Sequence, residues 1–226
     1  MTKFGYRVAV SLAAVALAGA LPWCGIAAAE PIPSAPADVW TVPTEPADAL
    51  TFVVAYSFGY RVAPGADPQR AEHEPGPVNE QLAAAVVAAR GDRDVPVYAQ
   101  SEIATVLRSR YGMRDVISID GEVNPDGTPI YLSTEGVAAK VAALRGNAIA
   151  TDVAGVVAFR DHLWRATRTT SAAGFVAVAP AGVPMPDRYD PQSAQPWTTG
   201  PERYLPVDYA ARVKLLFGGV VPREGR

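Results

Sequence analysis

The chain has 226 residues, a formal net charge of −3 and 49% hydrophobic residues, enough for one good-sized domain with its own core. Its mild acidity and the lack of any basic run provide no field for nucleic acid or an anionic membrane surface, so no nucleic-acid partner is expected. The single cysteine, Cys24, lies near the N-terminus, which excludes disulfides, thiolate nucleophiles and cysteine-ligated zinc from the rest of the chain.

In chain order, residues 1–29 read as a secretory signal: Lys3 and Arg7, the apolar run "VAVSLAAVALAGAL", then small residues ending "GIAAAEP". Cleavage is expected after Ala29. An uncleaved anchor is the alternative, but Pro22 and the small-residue end favour removal, and no later stretch has the length to span a bilayer. Trp23 is too bulky for the residue that precedes a lipid-bearing cysteine, so Cys24 is not read as a lipid anchor. Removal takes two positive charges and no negative ones, moving the formal charge from −3 to −5. The expected location is outside the cytoplasm, secreted or associated with the cell envelope.

Residues 30–50 form a Pro- and Ala-rich lead-in, and a single domain is expected over 51–226. The run "TFVVAYSF" reads as a strand ending at Gly59, followed by the loop "YRVAPGADPQRAEHEPGP" and a helix over "VNEQLAAAVVAAR" with Leu82, Ala85, Val86 and Ala89 on one face. "VPVYAQ" is the next strand, and "SEIATVLRSRYGM" a helix with Ile103, Val106 and Leu107 in a stripe. The strand "VISID" and the loop "GEVNPDGTPIYL" lead to "STEGVAAKVAALRG", whose Val137, Val141 and Leu144 share a helical face and which stops at Gly146. "AGVVAF", a helix over "DHLWRATRTTSAAG" and the strand "FVAVA" complete the alternation. Residues 180–204 hold too many prolines for sheet or helix, and a last helix, "VDYAARVKLLF", is expected to pack Tyr209, Val213, Leu216 and Phe217 on the body.

Five apolar runs alternating with four helices predict an α/β fold, a three-layer sandwich around a mainly parallel sheet of about five strands. Ligands of such sheets bind beyond the carboxyl ends of the strands, where helix N-termini offer free N–H groups and a partial positive charge. The polar residues gather there. Gly59 follows the first strand; Gln100, Ser101 and Glu102 follow the second; Ser133, Thr134 and Glu135 open the third helix; Arg160, Asp161, His162 and Arg165 follow the fourth strand.

Arg160, His162 and Arg165 suit a phosphate or carboxylate, since guanidinium offers such groups a planar fork of donors. A plainer alternative has Asp161 capping the helix and pairing with Arg165. Glu102, Glu135 and His162 are the candidates for proton transfer, although glutamates in a first turn also simply favour the positive helix end. Glu72-His73-Glu74 reads as a solvated loop rather than a metal site, and no metal ligands are assigned. Ser57 lacks the elbow motif of hydrolases, and no phosphate-binding glycine loop is present, so no cofactor is named.

The segments "FVVAYSFG", "VNEQLAAAV", "PVYAQSEIA", "YLSTEGVAAKV" and "VVAFRDHLWRATRTTSAAGF" together resemble the YdcF-like (SanA/ElyC-type) family of bacterial proteins of unknown function. The last is the most specific, with His162, Arg165, Ala166, Gly174 and Phe175 at the matching positions. The resemblance covers roughly residues 51–178 and implies a Rossmann-like sandwich and a role connected with the bacterial envelope. Two corners depart from it: Ala99-Gln100-Ser101 stands where relatives resemble SGG, and Ser133-Thr134-Glu135-Gly136 is shorter in polar residues than the family's segment. Two functions follow as expectations. One is an exported protein binding or processing an anionic, envelope-related small molecule; the other is a non-catalytic binding or structural envelope protein with a degenerate site.

Overall fold

The structure is a computed structural model that describes residues 40–217 except 68–70, 126–128 and 131; the expected signal segment and most of the lead-in lie outside the described residues. The described residues belong to one compact unit. Its strands are β1 (Thr44–Glu45), β2 (Phe52–Ala55), β3 (Val97–Gln100), β4 (Ile117–Ile119), β5 (Glu122–Val123), β6 (Pro129–Ile130), β7 (Val153–Val157) and β8 (Val176–Pro180). Its helices are α1 (Pro77–Arg90), α2 (Ser101–Tyr111), α3 (Thr134–Arg145), α4 (Arg160–Ala172) and α5 (Pro201–Phe217).

Six strands make one sheet in the order β1-β8-β7-β2-β3-β4, with every neighbouring pair parallel. β2 is central, with Val53 opposite Val97 on one side and Gly155 on the other. This position explains its unbroken apolar run, because both of its faces are covered. Val53 and Ala55 enter a core with Leu82 and Val86 of α1 and Ile103 and Leu107 of α2. Phe52, Val54 and Tyr56 enter another with Val137 and Val141 of α3 and Ala166 of α4. The period of two along one strand thus separates two helical layers, which is the three-layer α/β sandwich the runs imply.

Several expectations are corrected. The lead-in supplies a sixth strand, β1, which pairs at the sheet edge with β8, where flanking prolines cost no ladder bonds. The last helix begins six residues earlier than the sequence suggests, and it turns a different face inward. Tyr204 and Asp208 are its buried residues, whereas Tyr209, Val213 and Phe217 are 53%, 50% and 67% exposed. Polar contacts to α4, described below, fix that rotation. Leu144 of α3 also points out to solvent while Val137 and Val141 pack as expected. Among the described residues, no helix is long and apolar enough to cross a membrane.

From β2 the chain proceeds through α1 to β3 and α2 to β4 on one side; from β7 it proceeds through α4 to β8 on the other. The direction of winding therefore reverses between β2 and β7. Their carboxyl ends lie side by side, with Ala55 opposite Val157, and such a reversal opens a crevice in sheets of this kind.

Candidate functional site

The stretch Arg160–Arg165 leaves β7 at that reversal and turns at once into α4, with the His162 amide donating to Phe159 O at 2.8 Å. Phe159 stacks on Phe58, which follows β2, at 4.1 Å between ring centres, so the two strand ends share a rigid aromatic floor. The side chains then diverge. Arg160 points outward, its side chain 60% exposed and its guanidinium bonded to Asp187 at 2.8 Å. Asp161 accepts from the Tyr189 hydroxyl at 2.6 Å, and neither caps the helix nor meets Arg165. His162 turns inward and is 4% exposed.

Arg165 reaches across to α5 instead. Its Nε donates to Asp208 Oδ1 at 2.7 Å, one terminal nitrogen to Thr134 Oγ1 at 2.8 Å and the other to the Tyr204 hydroxyl at 3.1 Å. Tyr204 also donates to Asp208 Oδ1 at 3.0 Å, and Arg212 Nε donates to the second oxygen. Asp208 is fully buried. Two guanidiniums thus converge on one carboxylate, which leaves the buried cluster with an excess of one positive charge.

His162 sits between these groups. Its Nε2 lies 3.4 Å from Thr134 Oγ1, while Nδ1 is buried without a hydrogen bond, 4.0 Å from Asp208 Oδ1. Burial, and after it the charge of Arg165, pushes the imidazole down to about 4, against the opposing pull of Asp208. It is therefore neutral at neutral pH. Burial alone would raise the Asp208 carboxyl, but its contacts outweigh that and hold it below the usual carboxylate range. At 4.0 Å His162 is beyond hydrogen-bond reach, so the two arginines carry the effect. Burial raises the Tyr204 hydroxyl, which keeps it a donor.

A cavity of about 120 Å³ opens against this cluster. Ser57 from the end of β2, Ser133, Thr134 and Glu135 from the start of α3, and His162 and Arg165 from α4 form one side. Gln195, Trp197 and Thr198 from the proline-rich segment, with Tyr204 and Val207 of α5, close the other. Ser133 caps α3 by accepting from the Gly136 amide at 3.1 Å, so the positive end of that helix lies at the cavity wall.

Five of the expected residues, Ser133, Thr134, Glu135, His162 and Arg165, line this one cavity. The others stand around it. Gln100 accepts from the Ser57 amide at 2.9 Å and so holds the β2 corner from behind. Glu102, with Ser101 beside it, faces His73, whose Nδ1 lies 3.3 Å from Glu102 Oε1 and whose ring stacks on Tyr60. His73 is thus no solvated loop residue. Gly59 donates nothing to the cavity through a side chain; it has φ +70°, and a Cβ there would stand 2.5 Å from Ser193 Oγ and 2.7 Å from Thr198 Oγ1. We expect Gly59→Ala to lower stability by about 1–3 kcal/mol, from left-handed strain and overpacking, read as a shifted urea midpoint; an unchanged midpoint would show that the turn relaxes freely.

Asp208, Tyr204, Gln195 and Trp197 are the residues that sequence reasoning missed. The one available signal was Asp208, an acid four residues before Arg212, the spacing of a helical ion pair. Among the described residues, no group of three or more His, Cys, Asp or Glu side chains could hold a metal ion. Comparisons with protein-family models, with curated proteins and with solved structures each found no match.

Proposed function

We propose that the chain is an exported envelope protein of the YdcF-like kind that binds a small anionic molecule, phosphorylated or carboxylated, in the cavity at the β2–β7 reversal. The observation that carries this reading is the buried excess of positive charge in Arg165–Asp208–Arg212, beside an imidazole whose Nδ1 has no partner. A buried polar atom left unpaired costs free energy that a ligand recovers, and the start of α3 adds its partial charge to the same wall.

Binding is favoured over turnover. Glu102 is engaged with His73 rather than with the cavity, and an imidazole depressed to about 4 is a weak base at neutral pH. Glu135 lines the cavity and is the carboxylate best placed to move a proton should turnover occur.

The test is calorimetric titration of the purified protein with inorganic phosphate, acetate and their organic derivatives, beside Arg165→Lys and His162→Ala. Lysine keeps the charge and loses the fork, so Arg165→Lys should weaken anion binding by roughly tenfold or more; His162→Ala should weaken it less. If neither phosphate nor carboxylate compounds bind the wild-type protein at millimolar concentration, the cluster is structural and the reading falls.

A further inference from the structure

The proline-rich segment enters the cavity wall with side chains that an anion alone does not require. Residues 195–198 are held from several sides: the Gln195 amide donates to Ser193 Oγ at 3.2 Å, Thr198 Oγ1 donates to Gln195 O at 2.9 Å, and the Ala194 amide donates to Tyr60 O at 2.8 Å. Pro196 opens the short 3-10 turn Pro196–Thr198 and Pro201 opens α5. This rigid wall presents Gln195, 3% exposed, to the interior and Trp197, 41% exposed, at the rim.

Three observations bound what fits. The cavity, at about 120 Å³, is well under the roughly 300–1,000 Å³ of sites that enclose drug-sized ligands, so a nucleotide is excluded and one small ring is not. The lining combines amide, hydroxyl and carboxylate groups with Phe58, Trp197 and Val207, the single aliphatic side chain, a mixture of aromatic and polar groups that suits a hydroxylated ring better than an acyl tail. Glu135 is exposed at the mouth, and its charge opposes a second anionic group there while accepting hydrogen bonds from hydroxyls.

We propose that the ligand is a single sugar ring carrying one anionic group, a sugar monophosphate or a sugar acid. The anionic group meets His162 and the start of α3, the C–H face of the ring lies on Trp197, and Gln195 and Glu135 bind its hydroxyls. A pyranose has an apolar face that packs on an aromatic ring and an equatorial belt of hydroxyls that planar amide and carboxylate groups hold in pairs. This rests on the anion reading above, and the experiment separates the two.

Glucose 1-phosphate, N-acetylglucosamine 1-phosphate and glucuronate are titrated into the full-length secreted protein, with inorganic phosphate, acetate, octyl phosphate and glucose as controls. At least one of the three sugar anions should bind at least tenfold more tightly than its bare anion and than glucose. Trp197→Ala should abolish that excess over the bare anion, and Trp197→Phe should restore part of it. If inorganic phosphate or acetate binds and no sugar anion exceeds it, or octyl phosphate exceeds them all, the sugar assignment is overturned and the anion site stands. If no anion binds, both fall together.

Discussion

Replacing Asp208 with alanine should be the most damaging single change in the described chain. Its carboxylate is fully buried and accepts from Arg165, Tyr204 and Arg212. Alanine leaves two guanidiniums facing each other in a poorly hydrated place, and removing one partner of a buried ion pair costs about 3–5 kcal/mol. For a domain of this size, a melting temperature lower by on the order of 10 °C follows. Asp208→Asn keeps the shape and one acceptor oxygen but no charge, so it should recover only part of the loss. Differential scanning calorimetry reads both variants. A Tm for Asp208→Ala within about 2 °C of wild type, less than 1 kcal/mol on the same scale, would mean that water screens the arginines and that the cluster is not sealed.

Stability should fall steeply on mild acidification, through His162. The folded protein holds this imidazole at about 4, against 6.5 for the free side chain. Between those values the unfolded chain binds the proton and the folded chain does not, so stability rises with pH across the window and is lost as pH falls from about 6.5 to about 4. The difference amounts to about 3 kcal/mol at neutral pH. Asp208 acts in a separate range: its lowered carboxyl contributes stability that is lost only as pH falls below the ordinary value of 3.8. Urea midpoints from neutral pH down to about pH 4 should therefore drop for wild type and stay nearly level for His162→Gln. The chain has only two histidines, so the variant retains His73 alone. Parallel curves for the two proteins would show that His162 titrates normally and is more open than its 4% exposure implies.

The sheet was legible because β2, β3, β7 and β8 are buried strongly enough to need apolar side chains at nearly every position, and such runs stand out from proline-rich surroundings. β1 was not: two residues, Thr44 and Glu45, are exposed and held by backbone pairing to β8, which leaves no mark on side-chain pattern. The corners after β2 and β7 could be inferred from the geometry of parallel sheets, and with them Ser133, Thr134, Glu135, His162 and Arg165. Their partners could not. Asp208 and Trp197 come from segments 43 and 35 residues further along than His162's helix partner Arg165 and His162 itself, respectively. In α5 the apolar spacing of Tyr209, Val213 and Phe217 suggested an inward face, but the ion pairs of Asp208 set the rotation and the apolar stripe faces solvent. His73 was discounted because its neighbours in sequence are solvated acids, whereas its neighbours in space are Tyr60 and Glu102.

The position of Asp208 on α5 also ties the cavity to the docking of that helix. Arg165, Thr134 and the β2 corner all precede it in the chain and are aligned by the sheet, whereas α5 packs against them through Tyr204 and Asp208. Without α5 the crevice has Arg165 and the His162 imidazole, but not the carboxylate that balances that charge, nor Arg212, nor the wall made by Tyr204 and Val207. The cavity at the β2–β7 reversal therefore depends on the docking of α5 for one of its walls. Fluctuations that lift α5 would expose Arg165 and His162 to water, so in a hydrogen-exchange measurement the amides of α5 and of the first turn of α4 should lose protection as one unit, ahead of the central strands.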